Sequence, residues 1–251
     1  MTAPHADGLF DLATPGTAVE RLILLADQYV QHNDRLDLLL RPGSVPEPDA
    51  HVASAHSLAS ETRAAIAAVA EERLYNSLDL SETVARLKQL AYLSDASTNH
   101  GLATARDLTA LAPEAAVDGA ALVAGEIRRR RPAQANGPDP QLNTVHYTAL
   151  WEISRGHVVT TESLGRRYVH YRDTRVLINT LRQLETRNLI ERVPKTAPSA
   201  YVRGPLQDRV RLTQAGTTAL AASISLPPAG TTPGKTLPPM PTSSQSAKRS
   251  R

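Results

Sequence analysis

The chain contains no cysteine, which excludes disulfides and thiolate chemistry and leaves its redox compartment unreadable. Aromatic residues are nearly as scarce, with one Trp, one Phe and seven Tyr among 251 residues. A core must therefore come from Leu, Val, Ile and Ala, a set better suited to helices than to sheets. Long apolar runs are also missing: no segment approaches the roughly 18 apolar residues of a membrane span. The N-terminal MTAPHADGLFDL lacks a basic stretch followed by an apolar run, so no signal peptide is expected. These absences lead us to expect a cytoplasmic protein.

Catalytic signatures are absent too. No phosphate loop, dinucleotide fingerprint, zinc-protease helix or nucleophile elbow occurs, so neither an enzyme nor a cofactor is expected. The eight His are scattered. His51 and His56 are five apart, which does not align them on one helix face, and His146, His157 and His170 have no dense carboxylate or Cys set near them in sequence. Metal binding is not expected from that spacing.

What is present is an uneven charge. Residues 1–140 carry 12 basic and 19 acidic side chains, residues 141–212 carry 12 basic and 6 acidic, and the remainder carries 4 basic and no acidic ones. Only the second half suits a polyanionic partner.

Periodicity divides the chain further. Val19, Leu22, Ala26, Tyr29, Asn33, Leu36 and Leu40 are spaced by alternating threes and fours, a heptad seam on a helix from Thr17 to Leu40. The seam packs either inside its own bundle or against a second copy, with Asn33 setting the register. Helices are expected from about Val52 to Tyr75, from Ser81 with a break near Asn99-His100-Gly101, and from Pro113 to about Arg130. Arg128 to Arg131 is either a solvated helix end or an auxiliary phosphate clamp. The Pro/Gly/Asn/Asp-rich stretch after it reads as a linker, and the Pro/Ser-rich stretch after Ser223 as a disordered tail. The expected fold is mainly α. It comprises a flexible N-terminus (1–16), a helical bundle for oligomerisation or sensing (17–131), a linker (132–141), a winged helix-turn-helix domain (142–223) and the tail (224–251).

The winged domain is read element by element. Asn143 to Ser154 forms a helix closed by Gly156, and His157-Val158-Val159 a first short strand. Thr160 or Thr161 caps a helix ESLGRRY with Leu164 pointing inward. Asp173 then caps a recognition helix, 173–188, whose Leu177, Leu181 and Leu184 face the core. Leu189 to Val193 and Asp208 to Leu212 pair as the wing, and Thr213 caps a last helix.

LRQLETRNLIER followed by DRVRLTQAG resembles the MarR-type winged-helix regulators. Leu184-Glu185, Leu189-Ile190, Arg192, Asp208-Arg209 and Leu212-Thr213-Gln214-Ala215-Gly216 stand at the matching positions, with Asn188 in place of the usual Gly. The match covers about a third of the chain. The bundle ahead of it and the longer, Pro-containing wing depart from the pattern. The resemblance implies that Asp208 and Arg209 hold the wing and contact the DNA backbone.

The candidate DNA contacts are thus Thr161, Arg166 and Arg167 from the first helix of the pair. Arg172, Thr174, Arg175, Asn179 and Arg182 come from the recognition helix and its approach, and Arg192, Lys195, Arg203, Asp208 and Arg209 from the wing. Arg and Asn suit guanine and adenine edges in the major groove. The expected function is a sequence-specific transcriptional regulator, a homodimeric repressor of double-stranded DNA with a small-molecule or protein effector at the bundle. The alternative is a DNA-binding protein for plasmid or phage replication, partition or architecture.

Overall fold

Most of the described elements pack, directly or through one neighbour, on the first helix. The computed structural model describes residues 16–43, 49–130, 142–199 and 204–225. The expected N-terminal segment (apart from Gly16), the linker and nearly all of the tail lie outside them. Among the described residues, eight helices and four strands run in the order α1 (Ala18–Leu39), α2 (Val52–Glu71), α3 (Leu78–Ser97), α4 (Leu102–Thr109), α5 (Ala112–Arg130), α6 (Thr144–Ser154), β1 (Val159–Ser163), β2 (Arg166–His170), α7 (Ile178–Thr186), β3 (Ile190–Ala197), β4 (Gln207–Leu212) and α8 (Gln214–Ile224). The fold is mainly helical with one small antiparallel sheet, in strand order β2-β1-β4-β3.

Caps set the helix starts. Thr17, Ser77, Asn143 and Thr213 each have extended backbone and a side-chain oxygen that accepts an N–H of the first turn. Ser77 moves the start of α3 three residues ahead of the expected Ser81, and its hydroxyl also donates to buried Glu126 of α5. Ala110 and Leu111 separate α4 from α5. The run Leu102–Arg130 is long and apolar enough by composition to cross a membrane, but half of its most apolar window is buried against the other helices.

The heptad seam of α1 is consumed inside the chain. Val19, Leu22, Ala26, Tyr29, Asn33 and Leu36 are all buried, and only Leu40 at the helix end is exposed. Tyr29 hydrogen-bonds Thr62 of α2 and Ser94 of α3, while Asn33 donates to the Thr109 carbonyl and accepts from its hydroxyl. The polar residue thus fixes α1 against α4 rather than against a second copy. Of the two readings of the seam, packing within the bundle is the one realised.

The opposite side of α1 receives the second half of the chain. Arg209 of β4 donates to Asp34 (Nε–Oδ2 2.7 Å) with both side chains 9% exposed, and its Nη1 reaches the Gly156 carbonyl. Arg211 clasps Asp27, and Thr218 of α8 donates to Glu20. A Cβ on Gly156, whose φ is +76°, would lie 2.6 Å from Val30 of α1, so the turn after α6 sits directly on that helix. The buried apolar residues of both halves form one continuous cluster.

Between α6 and α7 the structure departs from expectation. The segment ESLGRRY is not a helix: β1 and β2 form a hairpin with Ser163 opposite Arg166. His157 and Val158 precede β1 rather than starting it. The two turn residues, Leu164 and Gly165, have φ of +51° and +68°, the left-handed pair of a two-residue hairpin turn. Leu164, expected to point inward, is 98% exposed. The β-branched run Val158-Val159-Thr160-Thr161 continues the strand, and only Thr160 of the hairpin is fully buried, so no helical apolar face exists to stabilise the alternative. Among the described residues the first helix of a helix-turn-helix is therefore absent, and a β-hairpin occupies its place.

Two outcomes follow for stability. Replacing Asp34 by Ala should cost about 3–5 kcal/mol, because Arg209 is left buried without its counter-charge, whereas a volume-matched apolar replacement of both should cost far less. A urea-melt comparison of the single and double variants checks this. Burial, reinforced by His51, Arg35 and Arg106, lowers the pKa of His32 to about 4. Between pH 6.5 and 4 the unfolded chain binds a proton that the folded chain refuses. Stability should therefore fall on acidification through that window, by up to about 3 kcal/mol from this residue. Denaturant midpoints of His32→Gln should show a shallower decline.

Candidate nucleic-acid interface

The recognition-helix segment is shorter than its sequence suggests. α7 begins at Ile178, with Leu177 at the cap position and no side-chain cap bond, so Asp173 does not start it. Two anchors pull the preceding residues away from helical geometry. Arg172 donates to Glu114 of α5 at 2.6 Å, and Val176 is buried in the core. Thr174 and Arg175 consequently lie on an exposed approach loop, not on the helix. The inward stripe is Thr180, Leu181 and Leu184, while Leu177 is half exposed.

α7 touches both outer strands of the sheet, β2 and β3, and the α6 helix behind them. The contact to α6 is polar as well as apolar. Asn143 N–H donates to His146 Nδ1, so the ring proton sits on Nε2, which donates to Gln183 of α7 at 2.7 Å. The outward face of α7 presents Asn179, Arg182, Gln183, Thr186 and Arg187. The last four share one shallow depression of about 220 Å³. A second groove, about 190 Å³, lies between the start of α6 and the approach loop and includes Thr144, Thr148 and Arg175.

The candidate residues sort by whether their charge is already spent. Arg172 is bound to Glu114, Arg192 to Glu185 at the end of α7, and Arg209 to Asp34. Asp208 accepts the N–H of Lys195, whose φ is +57°, and so shapes the wing. Thr161 hydrogen-bonds His170 across the hairpin. Arg209 is buried, which corrects the expectation that it contacts a DNA backbone. Arg203 lies outside the described residues. What remains is Arg166 and Arg167 on β2, Thr174 and Arg175 on the approach loop, Asn179 and Arg182 on α7, and Lys195 on the wing. The five cations in this set form no ion pair among the described residues. Gln183, Thr186 and Arg187 were not singled out in sequence, although Thr186 follows Arg182 by four residues and Arg187 follows Gln183 by four, which makes two adjacent stripes beside one depression.

The residues that carry the family resemblance build one junction. Asn188 takes the left-handed φ of +55° that ends α7, and its carbonyl accepts from Thr213 Oγ1. The Leu189 carbonyl accepts Thr213 N–H and passes so close to Gly216 that a Cβ there would lie 1.9 Å from its oxygen. Glu185 and Arg192 brace α7 against β3. The Gly of the Leu-Thr-x-x-Gly pattern is thus explained by backbone approach, and its Thr by the hydroxyl that caps α8 and holds the Asn188 carbonyl.

Three of the four linker arginines are engaged inside the chain: Arg128 with the Ile224 carbonyl, Arg129 with Glu126, and Arg130 with the Glu72 and Arg73 carbonyls. They behave as a helix end tied to its surroundings, and Arg131 lies outside the described residues. A cavity of about 340 Å³ opens between the bundle and the sheet, lined among others by Asn33, Arg106, Arg155, His170 and Gln207.

Gly216→Ala should be severely destabilising, because the atom it meets is backbone and cannot rotate away. Asn188→Gly should be neutral to slightly stabilising, since glycine adopts positive φ without a Cβ penalty. Thermal melts of the two variants side by side check the pair.

No family model, no curated protein and no solved structure matches this chain.

Proposed function

We propose that this chain is a double-stranded-DNA-binding protein acting as a sequence-specific transcriptional regulator, with α7 as the element that enters the major groove. One observation carries the reading. Along β2, the approach loop, α7 and the wing, five cations have no carboxylate partner among the described residues, while other arginines of the same half are clasped by acids. Charges kept free at the cost of self-repulsion suit a polyanion. Asn179 and Arg182, three residues apart on the exposed face, supply side chains of the kind that read adenine and guanine edges. α7 contacts both β2 and β3, which supports a reading in which Arg166, Arg167 and Lys195 meet phosphates on either side of it.

In this reading the protein acts as a homodimeric repressor on a pseudo-palindrome with half-sites about one helical turn apart. The α1 seam is buried, so the dimer forms through another surface. An effector enters the cavity between bundle and sheet, where it touches both halves.

Selection from random duplexes with the full chain tests the reading. A discrete motif should emerge. Asn179→Ala and Arg182→Ala should each relax it at one position at a cost of about 1–3 kcal/mol, and Arg166→Ala should weaken all sequences alike and lower the salt slope by about one. Salt-sensitive binding without a motif would favour an architectural or maintenance role, and no binding would refute DNA recognition altogether.

A further inference from the structure

We propose that Glu152, His157 and Asp173 bind a divalent transition-metal ion of the Zn²⁺ or Mn²⁺ kind, with Glu114 orienting the histidine. Sequence spacing gave no hint of this, because the carboxylates come from separate elements. Glu152 is on α6, His157 follows that helix, Asp173 lies between β2 and α7, and Glu114 is on α5 of the bundle. One donor atom from each of Glu152, His157 and Asp173 lies within 4.8 Å of the other two.

The distances have the right scale. His157 Nδ1 is 2.9 Å from a Glu152 oxygen and 3.4 Å from an Asp173 oxygen. An ion with bonds of about 2.0–2.2 Å holds neighbouring donors roughly 3–3.4 Å apart. Small adjustments therefore place an ion where Nδ1 now faces both acids. The other ring nitrogen, Nε2, is 3.0 Å from Glu114, the carboxylate–histidine arrangement that fixes the tautomer and strengthens a histidine ligand. Arg172 holds that same Glu114 oxygen from the other side.

Charge and access agree. Three carboxylates face one guanidinium around a buried imidazole, and a dication balances the excess. Glu152 and His157 are about 5% exposed, whereas Asp173 is 58% exposed, which leaves an entry path and open positions for water. One imidazole with two carboxylates is a nitrogen–oxygen donor set of borderline hardness, suited to Zn²⁺ or Mn²⁺ rather than to thiophilic ions. The ion would clamp the approach to α7 onto α6, and through Glu114 onto the bundle. The assignment stands whether or not the chain binds DNA.

The test is calorimetric titration of the full chain, freed of metal by chelation, with ZnCl₂ and separately with MnCl₂. One ion per chain is expected. Asp173→Asn, on an exposed loop, should leave the metal-free melting temperature unchanged and weaken binding at least tenfold. Glu114→Gln, which removes no ligand, should weaken it roughly 10- to 100-fold. No heat with either salt, or binding that both variants leave intact, overturns the proposal.

Discussion

The Asp34–Arg209 pair is the constraint on which the arrangement of this protein depends. It joins the first helix to the last strand and sits where water has been excluded from both partners. Burial pushes the Asp34 carboxyl above its ordinary pKa, and the Arg209 guanidinium opposes that shift. Neither charge tolerates the loss of the other, so the bundle and the sheet are bound in one relative orientation rather than loosely tethered. Arg211–Asp27, Thr218–Glu20 and the Gly156–Val30 contact extend that junction along α1.

Much of the helical half was legible in sequence because its signals are local. Thr17, Asn143 and Thr213 cap where polar residues precede apolar periodicity, and Asn188 and Gly156 end helices with positive φ. The seam of α1 was legible as a buried stripe but silent about its partner, since heptad spacing is the same for a bundle and a coiled coil. The hairpin was missed because ESLGRRY is short and polar. Its state is settled by the β-branched residues before it and by the pairing of Val159 with Arg209 of β4, a non-local event.

The candidate site was legible in kind and not in detail. Sequence located Asn179 and Arg182 and the cations of β2, but it could not tell free arginines from committed ones. Arg172, Arg192 and Arg209 look equivalent to Arg166, Arg175 and Arg182 in composition. They differ because Glu114, Glu185 and Asp34 are brought to them from positions 7 to 175 residues away. The same non-locality hid the His157 cluster, whose acids lie on α5, α6 and the approach to α7.

The contacts of α1 also bear on the order of events during synthesis. Asp34, Asp27 and Glu20 leave the ribosome early, yet their partners Arg209, Arg211 and Thr218 follow 175 to 198 residues later. At about 5–20 residues per second, α1 spends on the order of ten seconds or more with one flank uncovered. During that interval α2 to α5 shield its apolar seam, while the flank that carries Glu20, Asp27 and Asp34 beside Val30 waits for its partners. The chain has thus placed its seam toward partners that arrive first and its carboxylate-bearing flank toward partners that arrive last, so that water can solvate most of what a nascent chain leaves open.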